Sequence, residues 1–139
     1  MKINKHIKIF TFSFLGFVIL CLVIYFSQQK KYDDLIKHGK YTIGIGEKIR
    51  KDRTGWTFVF NYKVGNHTYE GLNSATGIKE EFAIDGIYFV VFDPNKPKKN
   101  FLIKYPSVPA EINLDSIPAE GWSELPVAVP KDSIRNFFD

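Results

Sequence analysis

Three carboxylates, Glu80, Glu81 and Asp85, form the densest group of side chains in this sequence that could perform acid–base chemistry. Such chemistry requires carboxyl groups in a pocket that shifts their pKa values. Together with His67, these residues define one hypothesis: a small envelope enzyme or ligand-binding domain that uses a carboxylate cluster. The alternative interpretation of the same residues is a solvated connecting loop.

The other reactive residue types lack partners at a useful spacing. His6, His38 and His67 lie far apart along the chain, and no two of them have the spacing of metal ligands. The only cysteine, Cys21, lies inside an apolar run, and no Gly-x-Ser-x-Gly sequence occurs. We therefore predict no catalytic residue, no metal site and no cofactor.

The first structural element of the chain is an uncharged apolar run over residues 9–29. A basic flank over residues 1–8 precedes it. At about 1.5 Å rise per residue, the apolar core of this run reaches roughly 27 Å, close to the thickness of a bilayer's hydrocarbon core. A buried core helix would show a polar stripe, and this run shows none. The run predicts a transmembrane anchor. Thr11, Ser13 and Gly16 offer small or polar contacts through which it could pair with other helices.

The basic flank would also suit a cleaved signal peptide, but the run ends without small residues that mark a cleavage site. We therefore predict a retained signal-anchor. The lysines on its two sides are nearly balanced, so the positive-inside bias is weak. A short N-terminal stub before a large C-terminal domain favours a single-pass protein with the domain on the non-cytoplasmic side.

The charge distribution narrows the range of partners. The chain carries 19 lysines and arginines, and three of them precede the apolar run, which leaves 16 against 15 acidic residues beyond it. The basic surplus therefore lies in the membrane flank, where lysine meets anionic headgroups. The predicted partners are the lipid bilayer and another envelope protein, whereas nucleic acid is not expected.

Residues 30–40 are polar and predict a stalk that extends the helix until Gly39. Beyond it, positions 56–64 alternate large apolar residues with smaller or polar ones, the period of a half-buried strand. Gly65-Asn66 then suits a two-residue type II′ turn because its first residue is glycine. Closing this turn keeps the large side chains on one face. The predicted cross-strand pairs are Val64 with His67, Tyr62 with Tyr69, and Phe60 with Gly71.

Further strands are predicted on either side of this hairpin, so that residues 41–105 form an antiparallel β-domain. Gly44 and Gly46 suggest a twisted or bulged first strand, since the helix of a phosphate loop does not follow them. Residues 84–92 are apolar enough for a central strand, and two prolines exclude regular pairing in the turn over 93–100. Residues 106–139 hold five of the seven prolines and predict an extended segment that packs on the domain.

Aromatic and basic residues offer a second kind of candidate site. An aromatic surface could bind a peptide or glycan or dock onto the bilayer, and a basic tip could touch headgroups. The alternatives are that the aromatic residues form the core and that the lysines keep a loop soluble. The candidate interaction surface consists of Trp56, Tyr62, His67, Tyr69, Lys96, Lys98 and Lys99.

The hairpin around residues 62–71 and the Asp-Pro-x-x-Pro corner at 93–97 carry a resemblance to a diffuse group of small bacterial membrane-anchored β-domain proteins of unknown function, with a DUF3592-like pattern. Such proteins usually carry Asp-Gly or Asn-Gly at the hairpin, where this chain has Gly65-Asn66. The resemblance covers roughly residues 9–125 and implies architecture but no catalytic residues. We predict a mainly β fold, with one N-terminal transmembrane helix followed by a small antiparallel β-barrel or sandwich. The expected role is a protein-binding or envelope accessory module.

Overall fold

The computed structural model describes residues 5–130 and 133–136, so parts of the predicted basic flank and of the C-terminal segment lie outside the described residues. The chain divides into two units, residues 1–34 and residues 35–139. The fold is mainly β: an N-terminal apolar helix is followed by an antiparallel sheet that curls into a half-barrel. The predicted fold class is confirmed.

The helix α1 extends over Lys5–His38, through the predicted anchor and most of the predicted stalk. From Thr11 to His38 it is long and apolar enough to cross a membrane, and its most apolar stretch has a mean hydropathy of 1.9 with none of it buried. A core helix of this length would be buried, so this exposure supports the interpretation as a membrane segment. The helix ends where the Gly39 N–H donates to the Leu35 carbonyl at 2.7 Å.

Six antiparallel strands form one sheet in the order β3-β2-β1-β4-β5-β6, in which β1 and β4 are central. The outer strands β3 and β5 approach each other across the concave side. The strands are β1 Lys40–Asp52, β2 Gly55–Val64, β3 His67–Ser74, β4 Ile87–Asp93, β5 Lys96–Tyr105 and β6 Arg135–Asn136.

The predicted hairpin register is confirmed between β2 and β3, because Val64 pairs with His67 and the alternation continues along both strands. Gly65 has φ of 59°, and Asp85 is the only non-glycine residue with positive φ in the described part of the chain. Asn66 is therefore not left-handed, which fits the predicted type II′ turn. The predicted bulge in β1 is also confirmed, since the register shifts between Gly46 and Lys48.

The two faces of the sheet carry two separate cores. The concave inner face is filled by aromatic rings, and the outer face is covered by the last turn of α1 and the C-terminal segment. The inner core contains Phe58, Phe60, Tyr62, Ala75, Phe82, Val90, Phe92 and Leu102. The outer core contains Leu35, Tyr41, Ile43, Phe89, Val91, Ile103 and Ile134.

The described part of the C-terminal segment packs along the outer core through Val108, Ile112, Ile117 and Trp122. The sequence did not predict that this segment also joins the sheet. Tyr41 and Trp122 exchange two backbone hydrogen bonds of 2.7 and 2.8 Å beside the start of β1. The segment is therefore held to the domain by its backbone as well as its side chains.

The turn predicted over residues 93–100 is shorter than expected. β5 already begins at Lys96, which pairs with Asp93, and the next pair joins Phe92 to Asn100. Pro97 lies in the bulge between these pairs, where a missing N–H leaves no ladder bond unmade. Regular pairing is interrupted at the proline, but the turn itself is reduced to Pro94 and Asn95.

Candidate functional site

The structure does not bring the predicted carboxylates together. Glu80, Glu81 and Asp85 are all exposed. Glu80 lies 3.9 Å from Lys79, and Glu81 forms an ion pair with Lys104. The described residues contain no group of three histidine, cysteine or acidic residues that could hold a metal ion. The three carboxylates therefore share no pocket, and each faces solvent.

Tyr62 belongs to the core and not to a surface, which corrects its place in the predicted interaction surface. Its side chain is 1% exposed, because β2 turns it toward the concave face. The hydroxyl donates to the Pro97 carbonyl at 2.5 Å and accepts from the Asn100 amide at 2.8 Å. Burial raises the pKa of Tyr62 to about 12, while the Asn100 hydrogen bond opposes this rise. Tyr62 thus fastens the start of β5 to the end of β2.

We expect the raised pKa of Tyr62 to make stability fall between about pH 10 and pH 12. The unfolded chain ionises this tyrosine near pH 10.0 and the folded chain near 12. Because the folded state disfavours the ionised form, the contribution is complete below pH 10 and is lost as pH rises to 12, approaching roughly 2–3 kcal/mol. Urea unfolding across this range should show a shallower loss for Tyr62→Phe, which cannot ionise. An equal loss in both proteins would contradict the assignment.

The other aromatic members of the predicted surface lie at opposite ends of β2. Tyr69 stacks on Tyr62 with ring centroids 5.8 Å apart, and His67 lies 6.4 Å from Tyr69. Trp56 begins the other end of the strand, where the Lys79 ammonium lies 4.4 Å from its ring centroid. The predicted surface is therefore not continuous: His67 and Tyr69 form one group, and Trp56 is separate from them.

The three lysines of the predicted surface follow the β4–β5 turn. Lys99 lies 3.9 Å from Asp93, whereas Lys96 and Lys98 are exposed and have no ion pair among the described residues. The pairing of Lys96 with Asp93 places them beyond the end of β4. They lie at the same end of the sheet as His67, because Tyr62 near the end of β2 contacts Pro97.

A pocket with a volume of about 400 Å³ lies on the outer face of the sheet. One wall is formed by β1, β2 and the start of β3, and the other by residues 114–119 of the C-terminal segment. We call it the outer pocket. Its lining residues are Thr42, Ile43, Ile45, Asn61, Tyr62, Lys63, Gly65, Thr68, Leu114, Ile117, Pro118 and Ala119.

The outer pocket exists because β1 and β2 separate near the hairpin. Their backbone pairing ends at Gly44 and Tyr62. Closer to the start of β1, the backbone of Tyr41 pairs with that of Trp122 instead. The Gly65 N–H donates to the Ala119 carbonyl, which closes the C-terminal segment over the gap. The Thr42 hydroxyl bonds the Lys63 carbonyl at 3.2 Å and so satisfies one backbone group that the ladder leaves free.

The chemistry of the outer pocket suits binding more than catalysis. Its described lining contains Ile43, Ile45 and Leu114 as apolar surface and no carboxylate, histidine or cysteine. Lys63 is its only charged residue. At the rim, the Asn61 amide donates to Glu47 at 2.8 Å. Hydrogen bonds from Lys48 and Asn61 lower the pKa of Glu47, so this carboxylate stays ionised beside the pocket.

Part of the outer face beside the pocket is uncovered and apolar. Ile45, Leu72 and Ile87 are 46%, 52% and 41% exposed. Ile45 and Ile87 are paired across β1 and β4, so their side chains adjoin on this face. Leu72 lies on the same face but on β3, with β2 between it and Ile45. We call these three residues the open outer face. None of the three belongs to the outer core, against which the C-terminal segment packs.

The sequence did not predict the outer pocket or the open outer face, because their apolar residues follow the same pattern as residues of a buried core. Ile45 shares the parity of Tyr41 and Ile43, which are buried, and nothing local marks it as exposed. Leu114 sits among prolines in a segment that otherwise packs. Only the point at which the C-terminal segment crosses the sheet decides which of these side chains remain open.

Comparison with known proteins supplies no relative: no protein-family model, no curated protein and no solved structure matches the chain. The candidate site therefore rests on geometry alone.

Proposed function

We propose that this protein is a single-pass, membrane-tethered module that binds another protein of the cell envelope through the outer pocket and the open outer face. The observation that carries the proposal is the outer pocket, an apolar cavity of about 400 Å³ beside exposed Ile45, Leu72 and Ile87. Pockets of this size and lining are typical binding sites. Exposed apolar patches of this kind mark interaction surfaces on soluble domains.

The edge of the sheet beside the pocket favours an extended partner segment. β3 is the outermost strand on this side, and although it approaches β5 across the concave side, no described strand pairs with it there. Alternate residues of β3 therefore direct their N–H and C=O groups away from β2. Thr68 of β3 also lines the outer pocket. An extended chain could pair with β3 and place an apolar side chain in the pocket, a recurring mode of peptide recognition.

The proposed membrane attachment is supported by the properties of α1 and by the sequence around it. The length and apolarity of α1 support a membrane segment. The absence of a cleavage pattern at the end of the apolar run supports a retained anchor. A β-domain on the non-cytoplasmic side is part of the same proposal. The resemblance to small membrane-anchored β-domain proteins supports the same architecture. Impermeant labelling of the exposed lysines in intact cells tests the sidedness directly.

The binding proposal predicts that Ile45→Asp weakens capture of a stoichiometric partner from detergent-solubilised membranes by at least about tenfold. A carboxylate at the mouth of an apolar pocket would have to be desolvated by the bound partner. Ile45 belongs to neither hydrophobic core, so the substitution should leave the fold intact. Quantitative mass spectrometry of the captured protein measures the loss.

Ile84→Asp provides the matched control, because Ile84 is 59% exposed and does not line the outer pocket. The control should bind like the unsubstituted protein. Absence of any stoichiometric partner would contradict the proposal, as would a partner whose capture is the same in both variants.

A further inference from the structure

Several chain segments meet at the end of the sheet from which β1 starts. Lys40 begins β1 and pairs with Phe92, so the β4–β5 turn lies at this end. The β2–β3 turn lies there too, because the Thr42 hydroxyl bonds the carbonyl of Lys63, next to Val64. We call this the proximal end, since β1 begins two residues after α1 and the chain reaches the domain here.

Charge at the proximal end is incompletely compensated. Lys40 pairs with Glu120 at 3.3 Å and Lys99 with Asp93 at 3.9 Å. Lys63, Lys96 and Lys98 are exposed and have no ion pair within the part of the chain that the structure describes. This end therefore presents three unpaired ammonium groups to its surroundings.

The opposite end of the sheet is better compensated. Four of its basic residues have carboxylate partners, in the ion pairs Lys48–Glu47, Arg50–Asp52, Lys79–Glu80 and Lys104–Glu81. Lys51 and Arg53 remain without an ion pair among the described residues, and the Lys51 ammonium lies 5.8 Å from the Trp56 ring centroid. The two ends thus differ in the share of their basic residues that have carboxylate partners, which is two of five at the proximal end and four of six at the opposite end. They also differ in their position along the chain relative to the anchor.

The backbone around the proximal lysines is held in place. The Asn95 N–H donates to the Asp93 carboxylate at 2.9 Å, which fixes the turn before Lys96. The Pro97 carbonyl, between Lys96 and Lys98, accepts the Tyr62 hydroxyl. A fixed backbone lowers the entropy cost of presenting both ammonium groups to one surface.

We infer that the proximal end docks onto a bilayer surface carrying anionic headgroups, through Lys63, Lys96 and Lys98. Each lysine near such a surface favours the docked state by about fivefold, and the attraction fades within a Debye length of about 8–10 Å. Lysine suits this role as a mobile point charge that requires no fixed geometry from the phosphate. The anchor makes docking intramolecular, so weak individual contacts are sufficient.

The test uses the full chain in vesicles of phosphatidylcholine, alone or mixed with phosphatidylglycerol. A fluorophore is attached after reconstitution to the Asn95→Cys, Cys21→Ser protein and is quenched by headgroup-labelled lipid. We expect quenching in the anionic vesicles that high salt reverses. Lys96→Gln/Lys98→Gln should lower the docked-to-undocked ratio about thirtyfold.

The control is Lys51→Gln/Arg53→Gln, which removes the same charge from the opposite end and should change the ratio less than about twofold. Equal quenching in both kinds of vesicle would overturn the inference, and so would equal effects of the two double variants. No partner protein is present in this assay, so its outcome is independent of the binding proposed for the outer pocket.

Discussion

Ile19→Arg/Leu20→Arg should release the protein from the membrane fraction while leaving the β-domain folded. Both residues lie at the centre of the apolar run, and both are more than half exposed on α1. An arginine at the centre of a membrane helix costs about 2.5–3.5 kcal/mol on insertion scales, so the pair costs roughly 5–7 kcal/mol. Alkaline carbonate extraction followed by immunoblotting measures the distribution between membrane and soluble fractions.

The matched control is Ile19→Leu/Leu20→Ile, which keeps the same apolar volume and should remain with the membrane. Tryptophan fluorescence of the arginine variant should match that of the unsubstituted protein, since Trp56 and Trp122 lie in the β-domain. An arginine variant that stays in the membrane pellet would contradict the account. An unfolded domain in that variant would show instead that the helix belongs to a soluble core.

Phe60→Ala should lower the free energy of unfolding of the β-domain by about 3–5 kcal/mol. The Phe60 side chain is fully buried and lies between Phe58 and Tyr62, at centroid distances of 6.2 and 6.0 Å. Its ring occupies the space above Gly71, where even a Cβ atom would collide with it. Removing the ring leaves a cavity that neighbouring strands cannot close. Urea unfolding of the detergent-solubilised full chain, followed by tryptophan fluorescence, measures the loss.

Leu72→Ala is the comparison for this prediction, because Leu72 is 52% exposed on the open outer face. Surface substitutions of this kind change stability by about 0.5 kcal/mol or less. Equal losses in the two variants would mean that Phe60 is not in the core of the folded domain.

The inner core could be predicted from the sequence, because it depends on the alternation of large apolar residues with smaller or polar ones along neighbouring positions. The large residues of positions 56–64 fall on one parity, and a two-residue turn carries that parity into β3 without a shift. Val64 therefore had to face His67. The same reasoning predicted the bulge of β1, since glycines two apart interrupt the pattern at Gly46.

The packing of the outer face could not be predicted from the sequence, because it involves segments that are far apart along the chain. Leu35 and Ile36 are an apolar pair in the otherwise polar residues 30–40, and only the folded chain shows them packed over the sheet. Tyr41 pairs with Trp122, and no periodicity connects residues that far apart in the chain. The outer pocket follows from that pairing, which is why the sequence predicted neither its place nor its lining.

Some of the predicted site residues are buried and others are exposed, and their positions in the curled sheet decide which. Tyr62 is a member of the predicted interaction surface, for which the alternative was the core, and burial on the concave face decided for the core. Lys96 and Lys98 stay exposed because they follow a tight turn at the edge of the domain. Residue type indicated what each side chain could contact, whereas the curl of the sheet determined what it does contact.

The central proposal is that α1 is a retained anchor that holds a folded β-domain at a membrane. Peptide-level mass spectrometry of the protein from carbonate-washed membranes tests it most directly. The account predicts that the protein stays in the pellet and that peptides covering residues 9–29 are recovered in proportion to those of the β-domain. Recovery of the β-domain in the soluble fraction, or from membranes without residues 9–29, would contradict it.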